Sequence, residues 1–157
     1  MHTHRYAGRL TWTGARHGAT TSYNSYSREY EFRSADKPPI TCSADPHFRG
    51  DPALYNPEEL LVLSLSRCHL LSYLAECARA GIAVVSYEDD ATGTMTIKDR
   101  RMRFTEVTLH PRVVIAQANA ANVDRAVALH HEAHDQCFIA NSVNFEVRNE
   151  PVVTVAG

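Results

Sequence analysis

Between residues 60 and 75 the apolar positions Leu60, Leu61, Val62, Leu63, Leu65, Leu70, Leu71 and Leu74 are distributed around most of a helical circumference. That pattern predicts a central helix, partly set against a second subunit, rather than an amphipathic surface helix. Its start is written in Asn56-Pro57-Glu58-Glu59: a capping amide, a proline at the first helical position, and two carboxylates facing the positive end of the dipole. Gly81 supplies the matching stop. The apolar run falls short of the roughly 20 residues a bilayer span needs and carries Arg67 and His69 near its middle, so burial in protein is expected.

Elsewhere the period changes. Tyr6 to Trp12 and Tyr23 to Phe32 mix aromatic and polar residues around the turn-like stretch Thr13 to Gly18, predicting two N-terminal antiparallel strands. Pro38, Pro39, Pro46, Gly50 and Pro52 predict a long covering loop up to Tyr55. Ile82 to Ile97 and Phe104 to Ala116 are rich in Val, Thr and Ile and flank Lys98-Asp99-Arg100-Arg101, which predicts an antiparallel pair with a solvated tip. Asn122 to Gln136 reads as an amphipathic helix, with Val123, Ala126, Leu129, His130, Ala133 and His134 on one side. Val143 to Val155 reads as a closing strand interrupted by Pro151, and no internal repeat is apparent.

Length and composition narrow the class. The 157 residues fit one domain, 1–157, and 44% hydrophobic with 22% charged residues excludes a disordered or low-complexity chain. A formal net charge of -2 gives no support to nucleic-acid or anionic-membrane binding. The N-terminal Met1-His2-Thr3-His4-Arg5 is followed by no apolar h-region, so a cytoplasmic location is expected. Without a glycine-rich turn leading to a helix with the required lysine, a nucleoside triphosphate enzyme is disfavoured.

The four cysteines are too few and too irregularly spaced for a disulfide scaffold, which turns attention to their reactivity. Cys68 lies in the middle of the apolar helix and Cys137 ends the second one; neither forms a C-x-x-C. Cys68 and Cys77 are nine residues apart, on opposite helix faces and about 13 Å apart along the axis, beyond any disulfide span. A partner for Cys68 within the chain is therefore Cys137 or Cys42, and spacing does not choose between them. His130, His134 and Cys137 fall at i, i+4 and i+7, a spacing that presents three metal ligands on one face. Apolar Val123, Ala126 and Ala133 share that face, which favours core-edge histidines instead. The basic run Lys98 to Arg103 reads as a solvated hairpin, with docking of an acidic partner as the alternative.

Taken together, Asn56-Pro57-Glu58-Glu59-Leu60-Leu61, Cys68 ten residues after Glu58, Gly81-Ile82, and Cys137-Phe138-Ile139-Ala140-Asn141-Ser142 resemble the OsmC/Ohr family of thiol peroxidases. The resemblance implies an α+β subunit, with antiparallel strands wrapping two central helices and two subunits intertwined as a homodimer. It also implies reduction of organic hydroperoxides, and more weakly of hydrogen peroxide, with a dithiol, such as a lipoyl-bearing protein, as reductant and no cofactor or metal. By position Cys68 matches the peroxide-attacking cysteine, Cys137 the resolving cysteine, and Glu58 the carboxylate that orients an arginine. Arg16 is the best match to that arginine, with Arg28 as the fallback. Arg67 and His69 depart from the small or apolar residues that flank the first cysteine in the family, while Cys42 and Cys77 keep a structural reading.

Elementary chemistry suits these roles. A thiol with a pKa near about 8.5 is mostly protonated at neutral pH, so a cation beside it speeds attack. Arginine supplies that charge without titrating, and a carboxylate can hold its guanidinium bidentately. The competing reading is a non-enzymatic protein that binds a metal or a hydrophobic ligand in the same interfacial pocket.

Overall fold

Trp12, Tyr30 and Cys42 stand in line across three short strands at the start of the chain. β1 (Arg9–Trp12) pairs antiparallel with β2 (Tyr30–Arg33), placing Trp12 opposite Tyr30. In turn β2 pairs antiparallel with β3 (Ile40–Cys42), placing Tyr30 opposite Cys42. This computed structural model describes residues 3–116 and 119–157 and forms two compact units, Met1–Leu60 and Leu61–Gly157.

The second strand is shorter than the sequence suggests because the serines before it bind their own neighbourhood. Ser25 donates to the carbonyls of Ala19 and Ser22 and accepts from Ser22 N, a local alternative to a strand ladder. The proline-rich segment, conversely, contains a strand. β3 follows Pro39 directly and lies at the edge of its sheet, where a neighbouring proline costs no central ladder bond.

Helix α1 (Pro57–Arg79) begins as expected, with a reciprocal capping box: Asn56 Oδ1 accepts from Glu59 N at 2.8 Å and Glu59 Oε2 accepts from Asn56 N at 3.1 Å. It ends in a Schellman motif. Ile82 N donates to Cys77 O and Gly81 N to Ala78 O, with Gly81 at φ +71°, where a side chain would be strained.

In the unit Leu61–Gly157 each long β-forming run turns a corner once. The strands are β4 (Val84–Asp89) and β5 (Thr92–Lys98), β6 (Arg101–Leu109) and β7 (Pro111–Ile115), and β8 (Glu146–Asn149) and β9 (Val152–Val155). They form two sheets of order β4-β7-β9 and β5-β6-β8. The β4·β7 and β5·β6 ladders are antiparallel, whereas β6·β8 and β7·β9 are parallel. The corners fall where the sequence is poor in strand formers: Asp89-Asp90, His110-Pro111 and Glu150-Pro151. Asp89 secures the first two, since its Oδ1 accepts from His110 N at 2.7 Å and its Oδ2 from Ser66 Oγ at 2.5 Å. The hairpin tip uses left-handed Asp99 and Arg100, and Arg103 pairs with Asp99 at 2.9 Å.

Helix α2 (Ala120–Asp135) is capped by Asn119, whose Oδ1 accepts from Asn122 N at 2.8 Å. Two apolar clusters hold this unit together. One joins Tyr73 and Cys77 of α1 to Val113 and Ile115 of β7 and Leu129 and Ala133 of α2. The other packs Leu65 of α1 on Val107 and Leu109 of β6.

Within the unit, α1 buries one face instead of its whole circumference. Leu65, Ser66, His69, Tyr73 and Cys77 are buried, at spacings close to a helical turn. Leu63, Leu71 and Leu74, on the other side, are exposed to 40%, 67% and 37%. By length and composition α1 is apolar enough to cross a membrane, yet Ser66 and His69 on its packed face make polar contacts within the protein.

Candidate functional site

The two cysteines singled out from the sequence lie together in the unit Leu61–Gly157. Cys68, on α1, is partly exposed, while Cys137, just past α2, is buried at 1% exposure. Their thiols are within hydrogen-bonding reach. Burial pushes the Cys137 thiol up to about 11, and the hydrogen bond to Cys68 adds to the rise. Backbone N–H groups of Ala140 and Ile139, in the turn that follows, face the same sulfur and oppose the rise in part. The pair therefore consists of a solvent-reachable sulfur and a sheltered one that keeps its proton at neutral pH.

Cys42 is fully buried and hydrogen-bonds the side chain of its cross-strand neighbour Tyr30. Cys77, on the buried face of α1, hydrogen-bonds Tyr73.

Next to the thiols, α1 and α2 are tied by polar groups. His69 Nε2 lies 2.9 Å from His130 Nδ1, both rings being 1% exposed. Tyr73 stacks on His130 with centroids 3.8 Å apart, and its hydroxyl donates to Ala126 O at 3.2 Å. Positions rise along α1 as they fall along α2, from Cys68 against Cys137 to Tyr73 against Ala126, so the two helices run antiparallel where they touch. Desolvation lowers His69 to about 4 and His130 to about 3, and both rings are neutral near pH 7.

The unit Met1–Leu60 holds the other predicted residues. Arg16, in a short helical turn (Gly14–His17), is 61% exposed along its side chain and pairs with Glu29. Arg28 donates to Tyr26 O and Tyr23 O, both at 2.6 Å, and lies over both tyrosine rings. Glu58 sits in the first turn of α1, with Oε2 buried and without a hydrogen-bond partner among the described residues. Since Glu59 does the capping, Glu58 is left for another partner; Arg16 is bonded to Glu29 instead. Tyr30, whose hydroxyl is raised by burial, by Cys42 and by the charge of Glu58, is a neighbour that the sequence reading placed only in a strand.

The metal-ligand spacing does not close into a centre. His130 is bonded to His69, His134 Nδ1 lies 3.2 Å from Asn149 Nδ2, and Cys137 meets Cys68. Among the described residues no group of three His, Cys, Asp or Glu side chains could hold a metal ion.

Residues 50–151 match the family model described as OsmC-like protein. Among solved structures, an OsmC-like protein of unknown function from Vibrio cholerae is similar at 34% identity and TM-score 0.86, covering 96% of this chain and 100% of that one. An organic hydroperoxide resistance protein from Legionella pneumophila shares the fold at 14% identity and TM-score 0.68, covering 99% and 100%. A Bacillus subtilis organic hydroperoxide resistance protein does so at 16% identity and TM-score 0.60, covering 93% and 98%. No curated protein matches the chain significantly. With the match spanning α1, the cysteine pair and α2, the chain belongs to the OsmC-like protein family.

Proposed function

We propose that this protein is a thiol-dependent peroxidase that reduces organic hydroperoxides through Cys68, with Cys137 as the resolving thiol. Family membership suggests peroxide-related redox chemistry, and two of the structural relatives bear the name organic hydroperoxide resistance protein. The observation that carries the finer reading is the contact between a partly exposed Cys68 and a buried, protonated Cys137.

Cys68 thiolate attacks the outer peroxide oxygen; the O–O bond breaks, the alkoxide takes a proton and leaves as an alcohol, and Cys68 becomes a sulfenic acid. Cys137 then attacks the Cys68 sulfur, its thiol proton and the sulfenic hydroxyl leave as water, and a disulfide forms. A dithiol reopens the bridge by two successive exchanges and is itself oxidised to a disulfide. In this reading Arg16 supplies the cation that favours the thiolate and Glu58 orients it, with Arg28 as the alternative arginine. Arg16 takes that role by exchanging Glu29 for Glu58, whose Oε2 has no hydrogen-bond partner among the described residues. The working form is a homodimer, supported by the exposed leucines of α1.

The deciding experiment is stopped-flow oxidation of the fully reduced protein with one equivalent of an alkyl hydroperoxide, followed by thiol counting and peptide mapping. Rapid loss of two thiols as a Cys68–Cys137 bridge is expected, with no turnover in Cys68→Ser. Slow, unselective oxidation, or equal activity in Cys68→Ser, overturns the reading.

A further inference from the structure

Building on the peroxidase reading, we infer that His69 and His130 are positioning residues for the resolving step, holding α1 against α2 in the register that brings the Cys137 thiol to Cys68. His69 directly follows Cys68 on α1, and His130 precedes Cys137 by seven residues, two turns or about 10 Å of helix. The imidazole contact is thus a directional tie between the two helices close to the thiol pair.

Its geometry constrains more than spacing. The rings lie within 13° of parallel with centroids 5.2 Å apart and nitrogens 2.9 Å apart, so they meet end to end through one N–H···N bond. Tyr73, one turn further along α1, lies on His130 and fixes the plane of that ring. Because a hydrogen bond weakens steeply with misalignment, this pair resists rotation and sliding of α1 on α2, whereas two aliphatic side chains would tolerate both.

The pair is also a poor choice for stability alone. Each neutral imidazole carries one N–H, and the shared contact consumes one N–H and one lone pair. Whichever ring donates, the outer atoms His69 Nδ1 and His130 Nε2 are left as one N–H and one lone pair. Both are buried without a hydrogen-bond partner among the described residues. A half-satisfied polar pair costs desolvation that an apolar pair of the same shape avoids. What it adds is register, and register is what disulfide formation needs, because two cysteines bridge only over a narrow range of Cα separations.

The test measures thiol positioning without any peroxide. Reduced full-length protein is equilibrated with glutathione disulfide, two glutathione thiols being released for each Cys68–Cys137 bridge formed, and the bridge is quantified by peptide mapping. His69→Leu is expected to lower the effective concentration of Cys137 at Cys68 by at least about tenfold, the scale of loss from a small misplacement. His69→Gln, whose amide reaches the place of Nε2, is expected to stay close to wild type. Should His69→Leu fail to fold, the double variant His69→Leu/His130→Leu, which strands no imidazole, takes its place. An unchanged value in the leucine variant, or equal losses with leucine and glutamine, overturns the proposal. Since hydroperoxide is absent, failure here is separate from failure of the peroxidase reading, which shows instead as a wild-type Cys68 inert to alkyl hydroperoxide.

Discussion

Tyr73 lies flat on His130, their planes 15° apart and their centroids 3.8 Å apart, and this covers the ring that His69 bonds from the preceding turn of α1. Covered imidazoles cannot charge cheaply. His69, lowered to about 4 by burial and then by His134, and His130, lowered to about 3 by burial and then by His69 and His131, are both neutral in the fold. The unfolded chain binds these protons near pH 6.5, so the rings carry no pH-dependent penalty above that value, and the fold loses stability as pH falls toward 4. From His69 alone the loss reaches on the order of 3 kcal/mol at pH 4. Urea unfolding between pH 7 and pH 4 should show this limb in wild type and a flatter one in His69→Leu/His130→Leu. Identical limbs would refute the assignment.

At the alkaline end the sign reverses. Cys137 is raised from 9.0 to about 11 in the fold, so its contribution is full below pH 9 and disappears as pH rises toward 11. The loss at pH 11 is on the order of 2 kcal/mol. Buried Tyr73 and Cys77 and partly buried Tyr87 are raised as well and act in the same direction, which makes a Cys137→Ala comparison necessary. Its unfolding midpoint should fall less than that of wild type between pH 9 and pH 11. Alkylation at pH 8 provides a second check: iodoacetamide should modify Cys68 first, and preferential labelling of Cys137 would contradict the geometry.

Asp89 joins three elements through two oxygens, accepting from Ser66 on α1 and from the backbone of His110 at the β6–β7 corner. Asp89→Ala strands a half-buried backbone donor and a buried hydroxyl, a loss of about 2 to 4 kcal/mol. Ser66→Ala removes one bond and should cost about 1 kcal/mol. Denaturant titration of the two variants gives the comparison, and an Asp89→Ala effect no larger than that of Ser66→Ala would show that the corner holds without it.

The elements with strong local signals were legible from the chain. Asn56, Pro57 and Gly81 act through bonds to residues within a few positions, so cap and stop could be read directly. The corners were not, because alternation looks the same on both sides of Asp89 and His110, and only pairing across distant strands divides β4 from β5 and β6 from β7. The parallel pairing of β8 and β9 likewise depends on partners about forty residues away. At the site, the nearness of Cys68 and Cys137 follows from the antiparallel contact of α1 with α2, which sequence spacing does not encode. His69 and His130 each looked like an ordinary packed histidine, since their meaning arises only as a pair 61 residues apart. Glu29 as the partner of Arg16 carried no signal either, being one of many acidic residues along the chain.

The apolar circumference of α1 has the most direct consequence for assembly. Leu65, His69, Tyr73 and Cys77 turn into the protein, while Leu71 on the other side is 67% exposed, with Leu63 and Leu74 exposed on the same side. Leu71 and Leu74, with Leu63 on the far side of the exposed Arg67, leave large apolar side chains on the outer face of α1, as subunit interfaces commonly cover. Leu71 contributes little to packing within the chain, so Leu71→Glu should leave the fold intact while placing a charge on the face proposed to meet a second subunit. Sedimentation equilibrium at micromolar concentration is expected to give wild type at twice 17.5 kDa and Leu71→Glu at 17.5 kDa, with unchanged circular dichroism. A wild type that sediments as a monomer, or a Leu71→Glu variant that stays dimeric, would remove α1 from the interface. The cysteine pair, formed within one chain, would then have to work without a second subunit.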